Sequence, residues 1–275
     1  MQSFRFTSLL LSILLVSACT SAPKPYTYNP DMSLALNIAT IGNLNGAAKL
    51  KDLEVPKDTV TRLISVKTQF VGSALTLHLL NALDPAYLGI TVASMFFDYD
   101  LPVNHPIILA WMPKEMAGDN PRLAMLNVVE EATRKAVTDL GFDNLDGFKR
   151  KTGEGKIDLY STITALTKEE GDSDAAAGYF FANHQLEAHT PTFVGSTQES
   201  YAFIVGKNSS NAYVYINNSP KKENELELLT LMSKHLPKWV YLYVPPKKFY
   251  INEKDKLKIP LILNEGKAHY FVKEV

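Results

Sequence analysis

The sequence predicts an α+β fold, in which an N-terminal helical hairpin packs with a mixed, largely antiparallel sheet and two further helices. Apolar residues recur at helical spacing early in the chain, whereas later segments alternate or form short apolar runs between prolines and glycines. Strands that are joined by tight turns must pair antiparallel. With 46% hydrophobic and 21% charged residues in a chain of 275, the composition is that of a globular protein with a sizeable core.

The predicted helical part, residues 31–98, begins with a short helix. Asp31 stands where it can cap a helix over Met32–Ile41. Gly42 follows the last apolar residue and is expected to end this helix.

A helical hairpin is predicted next. A longer helix starts at Asp58 or Thr59, and its second half is apolar nearly all round, which is typical of a buried helix. The Asp-Pro pair at 84–85 both stops it and starts a further helix over Ala86–Phe97. The β-branched run Ile90–Val92 leaves a strand open as the alternative there.

Residues 99–275 are predicted to be sheet-rich and to form one globular domain with the helical part. A short apolar run between prolines indicates a buried strand at Pro106–Met112, and Pro121–Leu140 has an amphipathic pattern typical of a helix. The remaining predicted elements are strands over Lys156–Leu166, Gly178–Glu187, Ser200–Val205, Ala212–Ile216, Trp239–Val244, Leu257–Leu263 and His269–Val275, and a helix over Glu223–His235.

Two hairpins and a cationic loop are expected among these strands. Ser200–Val205 should pair with Ala212–Ile216, and the last two strands should pair across a three-residue turn, 264–266, with glycine in the left-handed position. Gly147–Lys156 lacks the glycine and hydroxyl positions of a phosphate-binding loop. We therefore expect it to be a solvated cationic loop.

The first residues have the pattern of an export signal. Arg5 precedes a compact apolar run, Leu9–Val16, which is shorter than the roughly 20 residues that span a bilayer. Small residues follow, and Val16-Ser17-Ala18-Cys19 resembles a bacterial lipobox. The resemblance implies a bacterial lipoprotein in which residues 1–18 are a signal peptide and Cys19 becomes the acylated first residue of the mature chain.

Two other interpretations of this segment remain open. An ordinary signal-peptidase site would use the small residues up to Ala22, but Pro23 would then follow the cleavage point directly. An uncleaved anchor over Phe6–Ala22 would carry several hydroxyl side chains into the bilayer. Cys19 is the only cysteine of the chain, so no disulfide competes for it.

Residues 19–30 are predicted to be the lipidated cysteine and an extended tether. Prolines at 23, 25 and 30 favour an extended chain, which at about 3.1 Å per residue would hold the domain roughly 30 Å from the lipid. Thr20 stands where an inner-membrane retention signal would have aspartate. The resemblance thus implies attachment to the outer membrane through acyl chains, with the domain on the periplasmic face.

Charge and motifs limit the function classes. The formal net charge of −1 gives no electrostatic case for nucleic acid. The sequence contains no G-x-S-x-G, G-x-G-x-x-G or H-E-x-x-H motif, so it indicates no cofactor and no metal centre.

One candidate catalytic group is Asp98, Asp100 and His105, which flank the predicted strand at 106–112. In an extended segment the two carboxylates share a face, and with a histidine nearby they could perform acid–base work or bind a divalent cation. The competing interpretation is a polar loop that these residues solvate.

A candidate ligand surface lies near the C-terminus. Trp239, Tyr241 and Tyr243 are predicted to share one strand face, with Lys247 and Lys248 beside them. Aromatic faces stack on sugars, and lysines bind anionic glycan or lipid phosphate. The alternative is a half-buried sheet face with lysines at its rim.

A third constellation, His184, Glu187 and His189, contains competent zinc ligands. Its spacing matches no zinc-protease motif, and on a strand the two histidines would face opposite ways. We expect a polar strand end there.

Two functions follow from the sequence. The first is a non-enzymatic role in the envelope, in which the domain binds another envelope protein, a glycan or a lipid. The second is a periplasmic hydrolase or metal-dependent enzyme that uses Asp98, Asp100 and His105. The absence of a catalytic motif favours the first.

Overall fold

The computed structural model describes residues 28–44, 50–55, 105–140, 144–152, 157–166, 173–182, 188–189, 199–205, 212–217, 225–246 and 260–274. These residues form an α+β fold with four helices and a mostly antiparallel sheet, as the sequence predicts. The predicted helical hairpin at 58–97 lies outside the described residues.

The described helices are α1 (Leu34–Ile41), α2 (Lys114–Ala117), α3 (Pro121–Asp139) and α4 (Glu225–His235). The strands are β1 (Leu53–Val55), β2 (Ile107–Pro113), β3 (Asn144–Thr152), β4 (Ile157–Leu166), β5 (Ser173–Ala182), β6 (Ala188–His189), β7 (Ser200–Phe203), β8 (Ala212–Asn217), β9 (Val240–Val244), β10 (Leu261–Asn264), β11 (Lys267–Tyr270) and β12 (Val272–Glu274). The predictions for β2, α3 and α4 are confirmed, with ends displaced by only one or two residues.

The large sheet has the strand order β11-β10-β9-β2-β8-β5-β4-β3, and the pairs along this order are antiparallel. Strand β7 pairs with β2 beside β8, and β6 pairs with β7. A separate parallel pair joins β1 to β12, with Leu53 opposite Val272.

Strands β7 and β8 do not form the hairpin that the sequence predicts. Both lie along the edge of β2 that is opposite β9: Ile107 at the start of β2 pairs with Tyr213 of β8, and Ala110 further along pairs with Phe203 of β7. The two short strands thus share one partner, and β8 finds its second partner in β5. Strand β2 is long enough for one of its edges to pair with both short strands.

The cationic run at 147–156 is also not the loop that was expected. Its first part belongs to β3, the last strand of the sheet path, which pairs with β4 across a register shift between Asp146 and Lys149. A cationic sequence and a bulge are common on edge strands, where they oppose pairing with other chains. Strand β5, in turn, begins earlier than the predicted Gly178.

Strand β2 is buried on both faces. Alternate residues such as Ile108 and Met112 belong to a core shared with α3 and α4, whereas Ile107, Leu109 and Trp111 belong to a second core shared with α1. Side chains alternate between the faces of a strand, and a strand covered on both sides reads as a continuous apolar run. The sheet is therefore the middle layer between two layers of other elements.

Helix α3 forms because a cap and an amphipathic pattern agree. The Asn120 side chain accepts a hydrogen bond from the backbone N of Leu123 at 3.0 Å, and Pro121 occupies the first helical position. Residues of one face, including Leu126 and Val129, are fully buried against the sheet and α4. The apolar residues that predict this helix are thus the ones that it buries in the core.

Helix α1 begins two residues later than predicted, and its cap is Ser33 rather than Asp31. The Ser33 side chain accepts from the backbone N of Leu36 at 3.0 Å. Gly42 ends the helix as expected, but with φ −74°, and Asn43 takes the left-handed position at φ 57°. Gly42 is required for a different reason: a Cβ there would lie 2.8 and 2.9 Å from the two methyl carbons of Leu109.

The close approach of Gly42 to Leu109 leads to a first prediction. Because Leu109 is fully buried, it has little room to move, and Gly42→Ala should lower the free energy of unfolding by about 1–3 kcal/mol. Combining it with Leu109→Ala should cost less than the sum of the two single changes, because the smaller side chain removes the clash. Chemical denaturation of the four proteins measures this coupling, and strictly additive values would contradict it.

Strands β10 and β11 form the predicted last hairpin, but its turn has two residues instead of three. Asn264 pairs with Lys267, so only Glu265 and Gly266 connect the strands, at φ 51° and 72°. Two consecutive positive φ values are typical of a type I′ turn, whose twist matches that of the strands. The Gly266 backbone N donates to Ser233 Oγ at 3.1 Å, which ties the turn to α4.

A second prediction concerns this turn. Glu265→Asn should raise the free energy of unfolding by about 0.5–1 kcal/mol, because asparagine tolerates the left-handed region better and Asn-Gly is the preferred pair. Gly266→Ala, the matched change, should lower it by about 1–2 kcal/mol, since a Cβ at φ 72° is strained and would lie 3.1 Å from Lys234 Cβ. Thermal or urea unfolding compares the two variants; effects of the same sign would contradict the assigned turn.

Candidate functional site

A buried polar site joins the end of the predicted tether to the folded domain. Asn37 of α1 is only 1% exposed, although it lies among apolar residues. Its Oδ1 accepts from the backbone N of Asn29 at 2.8 Å, and its Nδ2 donates to the backbone O of the same residue at 2.8 Å. The side-chain amide therefore binds Asn29 as a neighbouring strand would.

Asn37 also binds the next residues of the incoming chain. Its Nδ2 lies 3.0 Å from the carbonyl oxygen of Ser33 and 3.2 Å from that of Met32. A buried amide is stable only when its polar atoms have partners, and here those partners are backbone groups of residues 29–33. We call residues 29–33 the tether root.

The tether root is itself folded as a turn. The Met32 backbone N donates to the carbonyl of Asn29 at 3.1 Å, and the Asp31 backbone N donates to Asn29 Oδ1 at 2.9 Å. Asn-Pro in the first two positions is typical of such a turn, because asparagine bonds its own backbone and Pro30 fixes φ. The sequence around 29–30 thus prepares the conformation that Asn37 binds.

A second attachment comes from Asp52, which precedes β1. One carboxylate oxygen accepts from the backbone N of Ser33 at 2.6 Å, and the other accepts from the Ser33 hydroxyl. Because Ser33 Oγ also accepts from the backbone N of Leu36, Asp52, Ser33 and α1 form one chain of hydrogen bonds. A carboxylate at the N-terminus of a helix is stabilised by the helix dipole.

The tether root lies beside the parallel β1–β12 pair. The backbone N of Leu53, next to Asp52, donates to the carbonyl of Phe271 at 2.9 Å. The root is held by the buried amide of Asn37 and the carboxylate of Asp52, which both bind its backbone, so the site holds a segment of chain.

The aromatic residues predicted to share a face are divided between the two cores. Trp239 precedes β9 and packs against the core that contains α3 and α4, whereas Tyr241 and Tyr243 belong with the α1 core. Tyr243 is 0% exposed. Tyr241 makes an edge-to-face contact with Trp111, with ring centroids 5.8 Å apart. Tyr241 and Tyr243 therefore share a face as predicted, whereas the prediction is wrong for Trp239. Lys247 and Lys248 lie outside the described residues.

The candidate acid–base group is described only in part. His105 is half-buried directly before β2, and Asp98 and Asp100 lie outside the described residues. Of the third constellation, His189 lies on β6, and His184 and Glu187 lie outside. Within the described parts of the chain, no cluster of three or more His, Cys, Asp or Glu could hold a metal ion.

One ionic cluster was missed by the sequence analysis. At the C-terminal ends of α3 and α4, His235 Nε2 lies 2.8 Å from Asp139 Oδ2, and Lys234 Nζ lies 3.9 Å from the same oxygen. The Lys234 ammonium is favourable near a helix C-terminus, and the hydrogen bond between His235 and Asp139 joins the two helix ends. No spacing in the sequence predicts it, because the partners are almost a hundred residues apart.

Large apolar side chains at the surface are few among the described residues. Leu34 of α1 is 41% exposed, Met116 of α2 is 52% exposed and Leu123 of α3 is 37% exposed. Single exposed apolar residues are normal on globular proteins. None of the helices in the described stretches is long and apolar enough to cross a membrane.

Comparison with known proteins adds no relative. No protein-family model matches the chain, and no curated protein or solved structure is significantly similar to it.

A third prediction follows from two partly buried tyrosines, Tyr241 and Tyr270. Burial raises the pKa of Tyr270, and burial together with the charge of Glu265 raises the pKa of Tyr241. The folded state then holds these protons more tightly than the unfolded state, so stability is complete below the unfolded pKa, about 10, and falls as the pH rises above it. Tyr270→Phe should change stability at pH 7 by less than about 1 kcal/mol and flatten the decline between pH 10 and 11. Urea unfolding at each pH tests this; equal slopes would contradict it.

Proposed function

We propose that this protein is a bacterial cell-envelope lipoprotein, anchored to the outer membrane through acyl chains on Cys19, whose domain faces the periplasm and has a non-enzymatic binding or assembly role. The observation that carries the proposal is the sequence Val16-Ser17-Ala18-Cys19 after a cationic start and a short apolar run. A triacylated cysteine exceeds the two chains that stable attachment requires.

The arrangement of the tether root, residues 29–33, supports an anchored role. A tether needs a defined point at which the extended chain becomes part of the fold, and Asn37 and Asp52 bind the chain directly after the proline-rich segment. A tether that ended in a loose linker would leave these two polar side chains without their partners.

The binding role is proposed on chemical grounds. The side chains that hold the tether root, Asn37 and Asp52, are occupied by hydrogen bonds to it, and the sequence carries no catalytic motif. The domain, which its anchor keeps at the membrane, binds another envelope protein, a glycan or a lipid.

Anchoring is tested by substitution of Cys19. The wild-type chain should incorporate labelled palmitate, lose its signal peptide and fractionate with the outer membrane. Cys19→Ser should accumulate as an unlabelled precursor, whereas Ser17→Ala, which keeps a small residue in the motif, should behave as wild type. A Cys19→Ser chain that is still processed and membrane-bound would overturn the lipobox assignment.

The destination within the envelope is tested separately with Thr20. Thr20→Asp should move the lipidated protein to the inner membrane, because aspartate after the acylated cysteine is the retention signal that the lipobox resemblance implies. Thr20→Ser should leave it in the outer membrane. Equal distribution of the two variants would contradict outer-membrane sorting.

The role of the domain is tested by ligand-dependent thermal unfolding of the mature chain. A ligand at 100 times its dissociation constant adds about 2.7 kcal/mol. Stabilisation by a glycan or lipid fragment supports the binding role. Stabilisation by a divalent metal that Asp98→Ala abolishes would overturn it in favour of the enzyme.

A further inference from the structure

We propose that the tether root is a clasp that fixes the length of the tether and the place where it leaves the domain. The inference rests on the proposed anchoring of Cys19, but the clasp itself is a property of the fold. Its two attachments come from different parts of the chain: Asn37 lies within α1, and Asp52 lies before β1.

The two attachments act on the same five residues from opposite ends. Asn37 binds both backbone groups of Asn29 at the start of the root, and Asp52 binds the backbone N and the hydroxyl of Ser33 at its end. The turn between them closes on itself through Asn29 and Met32. The root therefore cannot extend under tension until the Asn37 contacts break.

This arrangement sets a length. With the root bound, the tether runs from Cys19 to Tyr28, ten residues that reach about 31 Å in an extended conformation. Release of the root would add five residues and about 16 Å of reach. The distance between the domain and the membrane surface thus depends on the hydrogen bonds of one buried asparagine.

The clasp also sets a direction. Asp52 is followed by Leu53, which is bonded to Phe271, and β1 pairs with β12, so the root is held beside the β1–β12 pair. Helix α1 lies against β11, which ends the strand order of the large sheet opposite β3. The tether therefore leaves the domain beside the β1–β12 pair.

Hydrogen exchange of the full mature chain in detergent tests the clasp. In the wild type, the amides of Asn29, Met32 and Ser33 should be protected. In Asn37→Leu, which keeps a branched side chain of similar shape, the amides of Asn29 and Met32 should exchange about tenfold faster or more, while β2 and α3 remain as protected as in the wild type. Unprotected root amides in the wild type, or unchanged exchange in the variant, would overturn the proposal.

The matched control is Thr40→Val on the same helix. The Thr40 hydroxyl donates only to the carbonyl of Leu36 in its own helix, at 2.7 Å, so its removal should leave the root amides protected. Faster root exchange in this control would show that any change in α1 loosens the root, which would overturn a specific clasp. Asp52→Ala is the second variant: it should expose the Ser33 amide even if Asn37→Leu does not fold.

The length claim is tested in membranes. Cys19 is the only cysteine, so once it is acylated a dye on Glu131→Cys, an exposed position of α3, is the single thiol label. Energy transfer to acceptor lipids in vesicles should be weaker for Asn37→Leu than for Thr40→Val. Equal transfer would overturn the length claim. Failure of the protein to bind vesicles would instead refute the anchoring of Cys19 and leave the exchange result standing.

Discussion

The fold depends on the complete enclosure of strand β2. Its two faces pack into separate cores, one edge pairs with β9, and the other edge is shared by β7 and β8. Strands β9 and β10 also have both edges paired and residues in both cores, but β2 is the longest of the three. Residues of α3 and α4 share one core with β2, and α1 shares the other, where Gly42 lies against Leu109. Truncation of a fully buried aliphatic residue costs about 2–5 kcal/mol. Because residues of β2 alternate between the two cores, truncations along this strand would destabilise both cores.

The sequence predicts those parts of the fold whose determinants are local. The apolar run of β2, the cap and stripe of α3 and the glycine at 266 each depend on neighbouring residues, and each prediction is confirmed. Pairing is different, because it is decided by partners far along the chain. Strands β7 and β8 are close in sequence, yet their best partners are β2 and β5, and the cationic run of β3 becomes a strand because an edge tolerates its charges.

The candidate site was less predictable than the fold. Alternation along a strand would place Trp239, Tyr241 and Tyr243 on one face. The strand begins only at Val240, however, so Trp239 precedes it and packs into the other core. The tether root gave one sequence signal, an asparagine within the apolar helix Leu34–Ile41. Buried polar residues usually satisfy backbone groups, and Asn37 could have been interpreted in that way. The role of Asp52 could not have been predicted in this way, since nothing in the neighbouring sequence relates it to Ser33.

The parallel pairing of β1 with β12 has a consequence for folding. Leu53 and Val272 are 219 residues apart, so this contact closes one of the longest loops that the chain can form. Contacts of large sequence separation slow folding because the loop entropy is lost before the contact forms. A ribosome also delivers residue 53 long before residue 272. Strand β1 therefore cannot pair until β12 has been synthesised. A chain that travels through a membrane amino end first would remain incompletely folded during the passage.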